Sequence, residues 1–151
     1  MIREQIKSKL IEAMKSKDEK TTATLRLINA AIKDKDIDAR TKGNMDGIDD
    51  AGILSLLQTM IKQRRESIDM YQKGGRADLV ASEQGEIDII QLFLPKQMSD
   101  DEVKAAIQAL ITEVGATSIK DMGKVMGALK AKYAGQMDMG KASGLIKAAL
   151  G

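Results

Sequence analysis

The sequence predicts an all-helical protein, and three observations carry that expectation. Apolar residues recur at spacings of three and four, no segment alternates with a period of two, and the apolar positions hold Ala, Leu, Ile and Met rather than rings. Such spacing returns side chains to one face of a helix, and these residue types are good helix formers. With Phe93, Tyr71 and Tyr133 as the only aromatics and ten methionines, the core must be aliphatic, with methionine filling irregular gaps. The pattern divides into an N-terminal four-helix lobe over residues 1–94 and a C-terminal three-helix bundle over residues 98–151, joined by a linker at about 94–98.

In the first helix Ile2, Ile6, Leu10, Ile11 and Met14 form one apolar stripe. After the polar break Lys17-Asp18-Glu19-Lys20, Thr21 or Thr22 is expected to cap a second helix with Leu25, Ile28, Ala31 and Ile32 inward. Arg40-Thr41-Lys42-Gly43-Asn44 reads as a loop. The longest helix should run from about residue 48 or 51 to 73, with Ile53, Leu57, Met60, Ile61, Ile68 and Tyr71 inward, and stop at Gly74-Gly75. A fourth, over about residues 76–93, carries Leu79, Ile87, Ile90 and Leu94 on one side.

Pro95, the single proline, blocks continuation of that helix. Ser99-Asp100-Asp101-Glu102 fits a capping box, with the acid three residues after the cap. The helix it opens should end near Val114, before Gly115. Another begins at Thr117 or Ser118 and ends near Ala134-Gly135, and Asp138 caps the last, which runs to Leu150. A three-helix unit of this size is only marginally stable alone.

Several function classes fall away on composition. The chain has no Cys and no His, which removes disulfides, thiolate nucleophiles, the commonest general base and the usual zinc ligands. Charged residues make up 30% of the 151 with a net of only +2, so no global field commits the protein to nucleic acid or to a membrane. The charged start Met1-Ile2-Arg3-Glu4 is unlike a signal peptide, and no apolar run approaches the roughly 20 residues of a membrane span. These features predict a soluble, cytoplasmic protein with no cofactor, no metal site and no self-sufficient catalytic site.

Three constellations suggest chemistry, each beside a plainer reading. Gly135-Gln136-Met137-Asp138-Met139-Gly140-Lys141 matches the start of a phosphate-binding loop, but Ala142 stands where Ser or Thr should hold magnesium, and no strand precedes it. A glycine turn with a capped helix explains it better. Glu83, Glu86 and Asp88 could serve acid–base work or bind a cation, yet Glu83 and Glu86 share the inward face of Leu79 and Ile87, opposite Arg64 on the inward face of the long helix. A charge on an apolar face needs a partner, so an ion pair of Arg64 with Glu83 or Glu86 is expected. Lys62-Gln63-Arg64-Arg65 is basic but is diluted by Glu66 and Asp69.

The third constellation is basic. Residues 115–151 hold Lys120, Lys124, Lys130, Lys132, Lys141 and Lys147 against only Asp121 and Asp138, whereas residues 1–95 balance 16 basic with 16 acidic side chains. The repeated tetrads Asp121-Met122-Gly123-Lys124 and Asp138-Met139-Gly140-Lys141 put lysines and backbone N–H groups at helix starts, which suits anions. Lysines on phosphate give salt-sensitive, sequence-independent affinity. An ordinary basic surface is the plainer reading.

Blocks along the chain resemble the YqeY family. They are Leu25-Arg26-Leu27-Ile28-Asn29-Ala30-Ala31-Ile32-Lys33, Arg76-Ala77-Asp78-Leu79, Glu83-Gln84-Gly85-Glu86-Ile87-Asp88-Ile89-Ile90, Leu94-Pro95-Lys96-Gln97-Met98-Ser99, Gly115-Ala116, and Asp121-Met122-Gly123-Lys124-Val125-Met126. That family is similar to the tail domain of the GatB subunit of glutamine-dependent tRNA amidotransferase. The resemblance implies a helical bundle followed by a three-helix bundle, a tRNA-facing role, and by family label a carbon–nitrogen ligase using glutamine as amido donor. It also implies tRNA, and an amidotransferase or other protein, as partners. The chain shows neither a glycine- and serine-rich amidase signature nor a glutaminase Cys. The residues also allow a different reading, a protein-interaction module docking a partner helix through Met122, Met126, Met137 and Met139.

Overall fold

The computed structural model describes all of residues 1–151 and contains helices without strands. The helices are α1 (Ile2–Lys15), α2 (Glu19–Thr41), α3 (Asp50–Lys73), α4 (Ala77–Gln91), α5 (Asp100–Val114), α6 (Met122–Tyr133) and α7 (Met139–Leu150), with a 3-10 turn at Ile119–Asp121 leading into α6. No helix is long and apolar enough to cross a membrane. The chain forms two compact units, Met1–Leu94 and Pro95–Gly151.

The first unit holds α1 to α4 around one aliphatic core. Ile6, Leu25, Ile28, Ile53, Leu57, Ile87 and Ile90 are fully buried, and each of the four helices contributes to that set. The inward stripe of α1 is Ile2, Ile6, Leu10 and Ala13, not the expected stripe running through Ile11 and Met14, which are 43% and 49% exposed. Ala13, 4% exposed, takes the inward place, and Ile11 and Met14 face outward. Helix α2 starts earlier than expected. Asp18 rather than Thr21 or Thr22 is its cap, its carboxylate accepting from the Thr21 backbone N–H at 3.1 Å and from the Thr21 hydroxyl at 2.7 Å.

Between α1 and α2 the chain reverses through Lys17, whose φ of 60° makes it the only non-glycine residue in left-handed backbone. Lys17 N–H donates to the Met14 carbonyl and Asp18 N–H to the Ala13 carbonyl, the paired bonds of a helix end where glycine is the usual occupant. Keeping a Cβ in that conformation costs about 1–2 kcal/mol.

A second junction ties α1, α2 and the start of α3. Arg3 donates both guanidinium arms to Asp36 at 2.8 and 2.7 Å and also reaches the Ile48 carbonyl at 2.7 Å, while the Ile48 N–H donates to Asp36 at 2.9 Å. The chain turns at Gly47 with φ of 81°, and a Cβ there would overlap the Asp36 carboxylate.

The second unit is built on α5, α6 and α7. Val103, Ile107, Leu110 and Ile111 from α5 meet Val125 and Leu129 from α6, Ala142 and Ile146 from α7, and Met137 from the intervening turn. Ser99 and Glu102 form the capping box, with bonds of 3.1 and 3.2 Å, and Gly115 ends α5 with φ of 69°. Residues 95–98 belong to this unit rather than hanging between two. The Gln97 amide donates to the Gly135 carbonyl at 2.7 Å and Met98 N–H to the Gln136 carbonyl at 2.9 Å.

Candidate nucleic-acid interface

The lysines singled out in the sequence all lie in the second unit and all are exposed. Lys124, Lys130 and Lys132 ride on α6, Lys141 and Lys147 on α7, and Lys120 on the 3-10 turn. They do not stand in equal surroundings. Lys141 is engaged by Asp100 of α5 at 2.9 Å, which holds that carboxyl below its usual range. The Lys132 ammonium lies 5.7 Å from the centre of the Tyr133 ring, within range of cation–π attraction. Lys120, Lys124, Lys130 and Lys147 enter no ion pair, so their charges are uncommitted. The surface is also less basic than residues 115–151 alone imply. Helix α5 adds Asp100, Asp101, Glu102 and Glu113, leaving eight basic against six acidic side chains from Pro95 to Gly151.

Helices α6 and α7 repeat one another at an offset of 17 residues, beyond the two tetrads. Asp121, Met122, Gly123, Lys124, Gly127, Lys130 and Ala131 recur as Asp138, Met139, Gly140, Lys141, Gly144, Lys147 and Ala148. The buried Val125 and Leu129 correspond to the buried Ala142 and Ile146. At about 100° per residue, Gly123 and Gly127 define a line along the outer side of α6, flanked by Lys124 and Lys130. Gly140 and Gly144 do the same on α7 between Lys141 and Lys147. A Cβ at Gly123, Gly127 or Gly144 would meet nothing. These glycines relieve no crowding inside the fold, although each costs a helix roughly 0.5–1 kcal/mol relative to alanine. The sequence signal that could have revealed the extended repeat is a 17-residue self-comparison.

The two helix starts differ in detail. Asp138 accepts from the N–H groups of Gly140 and Lys141 at 2.9 and 3.3 Å. Asp121 instead turns back to the N–H groups of Thr117 and Ser118 at 3.0 and 3.4 Å, because the 3-10 turn already supplies backbone partners to α6. Both ends are thus satisfied internally. The loop-like segment ahead of Lys141 follows α6, not a strand, so the context a nucleotide phosphate loop requires is absent.

In the first unit Arg64 Nε donates to Glu86 at 2.8 Å, and one of its terminal nitrogens donates to the Met60 carbonyl at 3.0 Å. The two side chains are 14% and 24% exposed. Glu83 does not join the pair, and Asp88 accepts from Gln84 at 3.0 Å. Glu86 and Asp88 therefore take separate partners, and the three carboxylates do not converge on one point. Met122, Met126 and Met139 are half-buried and Met137 is buried, all packed in the core of the second unit. They fill that core rather than present a docking stripe.

A family model described as Yqey-like protein matches residues 3–150. The chain belongs to the YqeY family. Among curated relatives, it is 36% identical over 114 residues to Altered inheritance of mitochondria protein 41, mitochondrial, of Eremothecium gossypii, covering 74% of this chain and 60% of that one. The protein of the same name from Lachancea thermotolerans is 35% identical over 111 residues, covering 72% and 57%. That of Saccharomyces cerevisiae strain YJM789 is 34% identical over 128 residues, covering 81% and 66%. This YqeY chain thus spans about three-fifths of the length of the relatives it matches.

Those names overturn one expectation. The relatives are called mitochondrial, and the cytoplasmic assignment drawn from composition does not stand. The reason is physical: Ile2 and Ile6 of the charged, amphipathic first residues are buried in the core as part of α1. That segment encodes packing, and neither it nor a Cys-free composition reports a compartment.

Proposed function

We propose that this protein is a tRNA-binding accessory protein related to the tail domain of glutamine-dependent tRNA amidotransferase, with no catalytic site of its own. On this reading Met1–Leu94 is the larger helical lobe and Pro95–Gly151 the three-helix bundle that meets RNA. One observation carries the proposal: the duplicated α6 and α7 each turn outward a glycine line flanked by lysines, with Lys124, Lys130 and Lys147 uncommitted to any internal partner. A smooth helix surface admits a phosphate backbone closely, and flanking ammonium groups neutralise it. With no row of exposed aromatic side chains, base stacking is not the mode. The contacts are to phosphate and read shape.

Lys120, Lys124, Lys130 and Lys147 are the principal contacts, with Lys132 and Lys141 secondary because each already has a neighbour. Any amide-transfer chemistry belongs to a partner that holds the ammonia-producing and ATP-using sites. The test is binding of unmodified tRNA by the pure chain and by the Lys124→Glu, Lys130→Glu, Lys147→Glu triple variant. The proposal requires the variant to bind at least about tenfold more weakly and with a flatter salt dependence. Equal binding by both would refute the site.

A further inference from the structure

The first unit carries a second surface that the tRNA reading does not use. Where α1 turns into α2, an open groove of about 470 Å³ is lined by Met14, Lys17, Glu19, Thr22, Ala23 and Arg26. Met14 and Ala23 are its apolar lining residues, and exposed apolar side chains continue from them along both helices. Ile11 lies one turn before Met14 on α1, and Leu27 lies one turn after Ala23 on α2, 46% exposed. These are exposed apolar side chains on a face the fold leaves uncovered.

The rim is basic. Lys17 and Arg26 flank the groove, Lys15 and Lys7 stand one turn either side of Ile11, and Lys33 continues the line of Arg26 two turns on. None of these five forms an ion pair. Of the nearby carboxylates, Asp18 is occupied capping α2, Glu12 is turned to Lys9 at 3.5 Å and Glu4 to the N-terminal ammonium at 2.7 Å, leaving Glu19 in the lining and Asp34 beside Lys33. Lys17 is also the residue held in left-handed backbone, where glycine would sit without strain. A lysine kept at a strained position at the mouth of a groove implies that its side chain is wanted there.

We infer that this groove docks an acidic amphipathic helix of a protein partner. The partner's apolar stripe sits on Met14, Ile11 and Leu27, and its carboxylates meet Lys17, Arg26 and Lys15. Charge complementarity selects this occupant: Lys17 and Arg26 line the groove and Lys7, Lys15 and Lys33 extend the face, five cations outside any ion pair against the carboxylates of Glu19 and Asp34, the inverse of an acidic helix with one apolar face. Methionine at the centre adapts to the side chains it receives. The exposed apolar stripe of Ile11, Met14 and Leu27 argues against RNA, whose phosphates gain nothing from it. The lack of any Trp, Phe or Tyr in the face, together with its concavity, argues against a lipid surface.

The probe is a synthetic peptide of roughly 18 residues with Leu at helical spacing on one face and Glu elsewhere, titrated by fluorescence anisotropy against the full chain. Expected is saturable binding that weakens with salt and falls at least about tenfold in the Lys17→Gly, Arg26→Glu double variant. Lys17→Gly alone removes a charge while relieving strain, so its melting temperature should equal or exceed that of the wild type while its affinity drops. Binding by the double variant as tight as by the wild type would overturn the inference, as would equal affinity for a scrambled peptide without the apolar stripe. Absence of peptide binding, with or without binding to vesicles of anionic phospholipid, would also overturn it.

Discussion

The Asp36 carboxylate shows how much one residue can organise. It accepts from both arms of Arg3 and from the Ile48 N–H, and Gly47 leaves the room for it. A Cβ at position 47 would have to occupy left-handed backbone and the space of the carboxylate together. Gly47→Ala is therefore expected to destabilise the first unit by about 1–3 kcal/mol, measured as a lowered urea midpoint. None of this was legible in the sequence, where Asp36 stands between Asp34 and Asp38 with nothing to distinguish it. Arg3 lies 33 residues away, and a long-range pair leaves no periodic trace. Asp100 and Lys141, 41 residues apart, are hidden for the same reason. The sequence could list lysines but could not say which was already engaged.

At the scale of elements, the helical class followed from spacing together with the helix-forming residue types, and the caps with local chemistry were readable. Ser99 with Glu102 three residues on, Asp138, and Gly115 each act within four residues of themselves. Misreadings arose where two local signals competed. Asp18 outcompetes Thr21 and Thr22 as a cap, because an ionised carboxylate accepts a stronger bond at the positive end of a helix. Ile11 and Met14 satisfied the apolar spacing as well as Ala13 did, and only the position of neighbouring helices decided which faced in. The glycine lines of α6 and α7 yield a two-sided prediction at this scale. Replacing Gly127 and Gly144 together by Ala should stabilise the chain by about 0.5–1 kcal/mol per site, since nothing occupies the added Cβ positions. Thermal melting checks that gain, and the same variant should bind tRNA more weakly if the bare helix surface is where phosphate approaches.

For the whole molecule, electrostatics bears on stability and on function through different residues. The Arg3 guanidinium holds Asp36 down at about 2, below the ordinary 3.8. A depressed carboxyl stabilises the fold above its unfolded value, and that contribution is lost as pH falls through the folded one. Asp36→Asn should thus lower stability near neutral pH by roughly 1–2 kcal/mol, discounted because Arg3 is partly solvated. The difference from wild type should shrink as pH drops from 3.8 toward 2, read from urea midpoints across that range. The proposed function would rest instead on uncommitted charge, because a net of only +2 supplies no overall field. The proposed binding to RNA would have to come from where the lysines stand, and for that reason is expected to be steeply sensitive to salt.

The most direct test of that claim is the affinity of the pure chain for tRNA, titrated from low to physiological salt. Expected is binding that weakens log-linearly with salt, with a slope that corresponds to about three or four neutralised phosphates. That slope should flatten when Lys124, Lys130 and Lys147 are reversed. Absence of binding at low salt, or binding indifferent to salt, would contradict the assignment of α6 and α7 as a phosphate-reading surface.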